Sequence, residues 1–175
     1  MKITKLPEKL KKNNPRLYEV LKFIVKFNLL SIPLYIFLIL NIEFVELQLA
    51  TAQITETLLH ATGVNAIRDG ITLIVPVSGG FWSAQIIWDC IGWKSILLFL
   101  ALVFATSFDK KKYALLFIPF IVLVNILRIW FMFFYVHNYG LANYDFIHAV
   151  VWSWGLLITV LLFWFVWLFF SVRHK

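Results

Sequence analysis

Three residues of this 175-residue chain could together support thiol chemistry, if the fold brings them close to one another. The only cysteine, Cys90, lies at the start of an apolar segment; Arg128 lies inside the next apolar segment, and His148 opens the last one. A thiol can act as a nucleophile, an imidazole can transfer protons, and a guanidinium can stabilise negative charge. The combination indicates a thiol nucleophile with an activating partner and a charge-stabilising partner.

Each of these residues also has a purely structural interpretation. An apolar helix commonly buries an inert cysteine, an intramembrane arginine can snorkel or link helices, and an interfacial histidine can serve as an anchor. The reactive interpretation of Cys90 rests on its position near a helix start and on Lys94, because helix N-termini and cations favour the thiolate. Asp145, three residues before His148, is placed to orient the imidazole.

The composition predicts one largely lipid-embedded domain covering residues 1–175. The chain is 62% hydrophobic and only 14% charged, whereas about a quarter of the residues of soluble domains are charged. The length suits a single domain. We find no basic face with interleaved aromatic residues, so nucleic acid is not an expected partner.

The apolar segments predict an all-α polytopic membrane protein. A crossing needs roughly 20 apolar residues, and about four segments are long enough. We predict transmembrane helices at residues 23–40, with a kink at Pro33, and at residues 91–108, 113–136 and 146–172. The proposed site would then be carried by the helices of residues 91–172.

The distribution of cations predicts the orientation in the cell membrane. Lys and Arg are concentrated in residues 1–22, in the lysines at 110–112 and in the C-terminal tail, whereas residues 41–89 and 137–145 contain one arginine between them. Cytoplasmic loops carry the excess of cations. Both termini should therefore be cytoplasmic and residues 41–89 extracytoplasmic, so the site would face outside. The basic arm should lie on anionic lipid through an apolar side made of Leu17, Val20, Leu21 and Ile24.

Residues 41–89 predict an outward-facing amphipathic helix followed by a small β-hairpin. Residues 42–61 suit a surface helix whose apolar face would contain Phe44, Leu47, Ile54, Leu58 and Leu59. Residues 70–76 form a short segment rich in β-branched side chains, which is typical of a strand. Ser78-Gly79-Gly80 is a turn signal, and residues 81–88 would form the returning strand. The hairpin would lead directly into Cys90.

No cofactor or metal is expected. The single cysteine and the scattered histidines at 60, 137, 148 and 174 lack zinc-site spacing. The chain contains neither a glycine-rich phosphate loop nor a Gly-x-Ser-x-Gly nucleophile elbow.

The order of the short motifs resembles the exosortase/archaeosortase family. Cys90-Ile91-Gly92 is followed by Ser95, then by Asn125 and Arg128-Ile129, and then by His148 at the start of the last helix. The resemblance implies a membrane cysteine transpeptidase. Such enzymes cleave C-terminal sorting tails of exported proteins, each a motif, a hydrophobic helix and a basic end, and transfer the product to an amine-bearing membrane lipid.

The resemblance also implies roles for individual residues. Cys90 would be the nucleophile, Arg128 the charge-stabilising residue and His148 the acid and base. The supporting residues would be Asn125, Asp145, Lys94 and Ser95.

Two other function classes fit the same residues. In a non-catalytic membrane scaffold, Arg128 and His148 would only hold helices together. In a small transporter or proton path, Arg128, His148 and Asp145 would line the pathway. Both alternatives make Cys90 dispensable.

Overall fold

The structure is a computed structural model that describes residues 11–108 and 111–173, apart from the side chains of residues 151–153. The predictions for residues 1–10, Lys110, His174 and Lys175 concern positions outside this description. The helices are α1 (Pro15–Leu30), α2 (Ile32–Leu40), α3 (Val45–Ala61), α4 (Trp93–Ala105), α5 (Ile118–Tyr139), α6 (Tyr144–Ala149) and α7 (Leu156–Arg173). The strands are β1 (Ile67–Asp69), β2 (Thr72–Val77) and β3 (Gly80–Gln85).

Within the described chain, three helical stretches are long and apolar enough to cross a membrane: Pro15–Leu40, Lys111–Tyr139 and Leu156–Arg173. The second of these stretches begins with the 3₁₀ turns of Lys111–Phe117 and continues as α5. The first stretch breaks at Ser31, and Pro33 lies in the first turn of α2, where its missing N–H removes no helical bond. The chain is therefore a polytopic membrane protein, as the apolar segments predicted.

The remaining apolar segment forms a shorter helix than expected. Helix α4 contains 13 residues, so it is about 20 Å long, against about 30 Å for the hydrocarbon core. The α-helix does not begin at the predicted residue 91, because Trp88–Ile91 forms a 3₁₀ turn that ends at Gly92. The segment before α7 also departs from a regular helix, since Val150–Gly155 winds as a π-helix between α6 and α7.

The amphipathic helix is present as α3, but its buried face differs from the predicted one. Leu59 is buried, whereas Leu47 and Ile54 are 49% and 46% exposed. The buried side is instead made of small or polar side chains, namely Gln48, Thr51, Ala52 and Thr55. Small side chains let helices approach closely beside lipid, and the threonine hydroxyls donate to carbonyls one turn back, so their polarity is satisfied within α3.

The predicted hairpin is present as β2 and β3, and β1 extends it to a three-stranded antiparallel sheet. An ion pair of 2.8 Å between Arg68 Nε and Glu56 Oε2 ties β1 to α3. On the other side, His137 Nδ1 lies 2.7 Å from the carbonyl oxygen of Pro76, and Trp82 packs on Phe133. The last turns of α5 therefore support the sheet.

The interior is divided into two apolar cores that share α5. One core lies between α3, the sheet and the second half of α5, and it includes Leu59, Leu73, Val75 and Phe133. The other core lies between α4, α5 and α7, and it includes Phe99, Val103, Ile121, Val160 and Trp167. Cys90 belongs to the first core. The 3₁₀ turn that carries it leads into α4, whose residues Phe99 and Val103 belong to the second core.

Candidate active site

Cys90 is held in the 3₁₀ turn at the entrance to α4. Its backbone N–H donates to the carbonyl of Ile87 at 2.8 Å. Gly92 then takes a left-handed conformation, with φ of +86°, and a side chain at this position would bring its Cβ to 2.8 Å from Asn125 Cγ. Only glycine allows both the conformation and this close approach. The turn can therefore pack directly on α5.

Two side chains of α5 hold the Cys90 carbonyl from the other side. Asn125 Nδ2 donates to this oxygen at 2.8 Å, and Arg128 Nη2 donates to it at 3.4 Å. The two residues are three positions apart and so share one face of the helix. Asn125 is 1% exposed and Arg128 is 6% exposed. A buried cation is thereby fixed beside the cysteine.

One cavity brings the three predicted residues together. It has a volume of about 210 Å³ and is lined by Cys90, Arg128 and His148, with Trp82, Phe133 and Tyr144 also in its walls. We call it the cysteine cavity. Its walls come from β3 and the neighbouring 3₁₀ turn and, beyond α4 in the sequence, from α5 and α6. The predicted convergence of these three residues is thus present in the fold.

His148 is positioned by an aromatic pair that the sequence analysis did not single out. Its ring stacks on that of Tyr144, with centroids 5.3 Å apart and planes at 20°. Tyr144 in turn meets Trp82 edge-on at 5.4 Å, so the imidazole is linked to β3. The i, i+4 spacing of Tyr144 and His148 on one helix was a readable signal for this contact.

The environment of Cys90 favours the neutral thiol. Burial raises the pKa of Cys90 above its ordinary value, and the nearby Asp89 carboxylate raises it further. A backbone hydrogen bond from Ile87 and the charge of Arg128 act in the opposite direction but do not outweigh the burial. A base is therefore required to generate the thiolate.

Lys94 lies in the first turn of α4, as the sequence suggested, but it pairs with a carboxylate. Its ammonium nitrogen lies 2.8 Å from Asp89 Oδ2, so its charge is directed to that carboxylate. Lys94 and the buried Ser95 line a second cavity that also has Arg128 in its wall. Of the four supporting residues, Asn125 thus contacts the backbone of Cys90, whereas Lys94 and Ser95 border another space.

Asp145, the fourth supporting residue, is exposed beside the aromatic pair. Its carboxylate and burial both contribute to a raised pKa of Tyr144, burial being the larger cause. The ring contact of His148 is with Tyr144. An orienting role for Asp145 stays a prediction.

Within residues 11–108 and 111–173, no three His, Cys, Asp or Glu side chains converge into a metal-binding group. His60 and His137 each place a ring nitrogen 2.7 Å from a backbone carbonyl, those of Ala66 and Pro76. Their contacts brace the sheet.

The effect of the Arg128 charge on the pKa of Cys90 can be measured through the rate of alkylation. For the purified protein in detergent, we expect iodoacetamide labelling of Cys90 to rise with pH to a midpoint above about 8.5, the ordinary thiol value. Arg128→Met should move that midpoint higher, because it removes a charge that lowers the pKa, while Arg128→Lys should leave it near the wild-type value. Mass spectrometry gives the rates. An unchanged midpoint in a folded Arg128→Met protein would contradict this electrostatic account.

A comparison with known families matches this architecture to one of them. A family model described as transmembrane exosortase matches residues 14–170, which include α1 to α7 almost entirely and all the residues of the cysteine cavity. Searches of curated proteins and of solved structures give no match. The matched range covers far more than half of the chain, and it confirms the resemblance seen in the short motifs. The chain belongs to the transmembrane exosortase family.

Proposed function

We propose that this protein is a cysteine transpeptidase that cleaves the C-terminal sorting tails of exported proteins and transfers them to an amine-bearing membrane lipid. The observation that carries the proposal is the cysteine cavity, which joins a nucleophile, a cation and a proton-transfer group from three separate parts of the chain. Membership of the exosortase family supports the same reaction class.

The chemistry follows from the properties of each side chain. His148 takes the proton of the buried Cys90 thiol, and the sulfur attacks the peptide carbonyl of the tail. Arg128 stabilises the oxyanion by charge and hydrogen bonding. His148 returns the proton to the leaving amine. The result is a thioester between Cys90 and the new C-terminus, which an amine then attacks to form an amide and release the thiol.

The surroundings of the cavity favour transfer over hydrolysis. Trp82, Phe133 and Tyr144 make its walls largely apolar. A site that excludes water limits the loss of a reactive intermediate by hydrolysis. The hydrophobic helix of a sorting tail would lie beside the bundle, whose surface exposes large apolar side chains on α2, α5 and α7.

The sheet end of the bundle should face outside the cytoplasm, because most of the cations, apart from Arg68, Lys94 and Arg128, lie near the other end. In a Cys90→Ala background, Ser78→Cys in the β2–β3 turn should react with a membrane-impermeant maleimide on intact cells. Ser107→Cys, beyond the far end of α4, is the matched control and should react only after permeabilisation. Both serines are exposed. The reverse pattern would invert the proposed orientation.

The nucleophile is tested by tail processing in cells. Cys90→Ala should abolish cleavage of a tail-bearing protein and leave the full-length substrate in the membrane, because no thioester can form. Arg128→Lys should lose most activity, since an ammonium lacks the planar donor fork of a guanidinium. Immunoblots of substrate and enzyme report both effects. Normal processing by a stable Cys90→Ala protein would remove the transpeptidase and leave the scaffold or transporter interpretation.

The role of Tyr144 is tested by replacing its ring. Tyr144→Phe keeps the stack on His148 and should retain nearly full activity, whereas Tyr144→Leu should lose about tenfold, or ~1.4 kcal/mol of transition-state stabilisation. Phe146→Leu, at a 72% exposed aromatic position of the same helix, is the control.

If Tyr144 acts by positioning His148, the effects of replacing the two residues should not be additive. In a His148→Ala background, Tyr144→Leu should cost little more, because the group that it positions is gone. Equal losses in both backgrounds would assign Tyr144 to structure alone.

A further inference from the structure

Strand β3 is paired with another strand on one side only. The sheet has the order β1-β2-β3, so β3 lies at its edge. The strand contains six residues, Gly80–Gln85, and none of them is charged or a proline. The opposite edge strand, β1, has three residues and carries Arg68 and Asp69. Short length and charged side chains protect an edge against further pairing. Strand β1 is protected in both ways, whereas β3 is not.

The register of the sheet shows which backbone groups of β3 point outward. In an antiparallel pair, opposite residues alternately exchange two hydrogen bonds or direct their N–H and C=O groups away from each other. Pro76 lies opposite Phe81 and has no N–H, so these two residues form a pair of the second kind. Beyond the strand, Ile86 donates its N–H to the carbonyl of Ile71 at 2.9 Å, which gives the same alternation. The residues whose backbone groups point away from β2 are therefore Phe81, Ser83 and Gln85. We call these groups the free edge of β3.

The free edge is accessible to a partner. In the described chain, no backbone hydrogen bond from outside the sheet reaches its three residues. Phe81 is 72% exposed, and Ser83 and Gln85 are exposed as well. An edge with unpaired N–H and C=O groups can bind an extended peptide as an additional strand.

The free edge leads to the cysteine cavity. Among the strands of the described sheet, only β3 lines that cavity, through Trp82, Ala84 and Gln85. Residues 86 and 87 continue the wall toward Cys90. A peptide that pairs with β3 would therefore extend from the sheet into the space that contains the thiol.

The direction of β3 is that of a tail that comes from outside the cell. Trp82 packs on Phe133 of α5, whereas the carbonyl of Cys90 is bonded to Asn125, eight residues earlier in that helix. The chain from β3 to Cys90 thus descends about 12 Å along α5, away from the sheet end. The tail of an exported protein, with its hydrophobic helix in the bilayer, would run the same way. It would lie parallel to β3.

We propose that the free edge of β3 binds the segment of a sorting tail that precedes the cleaved bond, as an extended strand parallel to β3. The proposal rests on the transpeptidase function and adds the way in which the substrate is held. Backbone hydrogen bonds to Ser83 and Gln85 fix the register of the tail and place a following peptide carbonyl in the cysteine cavity. This segment becomes the acyl part of the thioester, so it stays bonded to β3 while the cleaved hydrophobic helix leaves.

The pairing can be tested without turnover in the full-length Cys90→Ala protein. The probe is a synthetic peptide with the tail sequence of the substrate that accumulates in Cys90→Ala cells. A series of peptides carries one backbone N-methyl group each, at successive positions before the hydrophobic helix. Alternate residues of a parallel strand bond to one neighbour, so the Kd should rise at least fivefold at every second position and less than twofold between them. Equal effects at successive positions, or no effect at any position, would overturn the pairing.

A variant of the protein tests the same bonds from the other side. Ser83→Pro removes one N–H of the free edge and no hydrogen bond of the sheet, and proline is tolerated at such edge positions. It should raise the Kd of the unmodified peptide at least fivefold. Ser83→Ala keeps the N–H and is the matched control, for which we expect a Kd within twofold of that of the parent protein. Unchanged binding by a folded Ser83→Pro protein would contradict the proposal. If Ser83→Pro does not fold, the N-methyl series decides.

Photocrosslinking distinguishes a tail from a second copy of the chain on the same edge. In Cys90→Ala cells, benzoylphenylalanine in place of Ser83 should crosslink to the accumulated substrate. The yield should be at least fivefold higher than with the same group in place of Ile67, a 57% exposed residue of β1. Crosslinks between two copies of this chain in place of substrate would show that β3 pairs with itself, and would overturn the proposal.

Cleavage of the peptides by the protein with Cys90 intact separates this proposal from the transpeptidase itself. We expect kcat/KM to fall at least fivefold at the same alternate positions of the N-methyl series. Cleavage of the unmodified peptide without that alternation would overturn the pairing with β3 and leave the transpeptidase intact. Alternating effects on binding to Cys90→Ala without any cleavage by the intact protein would instead support the pairing and overturn the transpeptidase.

Discussion

The site depends on one backbone carbonyl, that of Cys90, which accepts hydrogen bonds from two buried side chains of α5. Asn125 and Arg128 approach it at 2.8 Å and 3.4 Å. A buried donor that loses its partner costs about 1–3 kcal/mol, and more when it is charged. The same bonds that satisfy Asn125 Nδ2 and Arg128 Nη2 therefore hold the cysteine turn against α5. Gly92 is part of this constraint, because any Cβ there would collide with Asn125.

The short length of α4 gives this arrangement its depth. A helix of 13 residues spans about 20 Å, so the turn at its start cannot reach the level at which α5 ends. Helix α5 continues past Arg128 to Tyr139 and packs on the sheet through Phe133 and His137. The cysteine turn is consequently set back between the sheet core and the helix core.

Much of this could be predicted from the sequence because the bilayer imposes strong patterns. The long apolar segments, the hairpin with its Ser78-Gly79-Gly80 turn and the intramembrane Arg128 were all readable. The buried face of α3 was not, because the amphipathic rule assumes that apolar residues turn inward, whereas Leu47 and Ile54 lie on the exposed side and small or polar side chains are buried. The partner of Lys94 could not be predicted either. Its position one turn after Cys90 showed that a cation was near, but not that Asp89 would bind it.

The tertiary contacts of His148 could not be predicted from the sequence, because they join distant parts of the chain. Spacing on α6 can suggest that Tyr144 lies beside His148, but the contact of Tyr144 with Trp82 joins residues more than sixty positions apart. Only the fold shows that a strand supplies the support for the imidazole. The same holds for Arg128, since the sequence places this residue in a helix without indicating that it lines two cavities.

The protonation of the site then follows from its burial. Burial raises the pKa of Cys90, and the charge of Arg128 offsets only part of that effect. A raised pKa favours the neutral thiol, which is less nucleophilic than the thiolate. In the proposed reaction, proton transfer to His148 would yield a thiolate next to two cations, Arg128 and the new imidazolium. The attraction between these charges would offset part of the free-energy cost of burying the thiolate, because Coulombic attraction grows as the local dielectric falls.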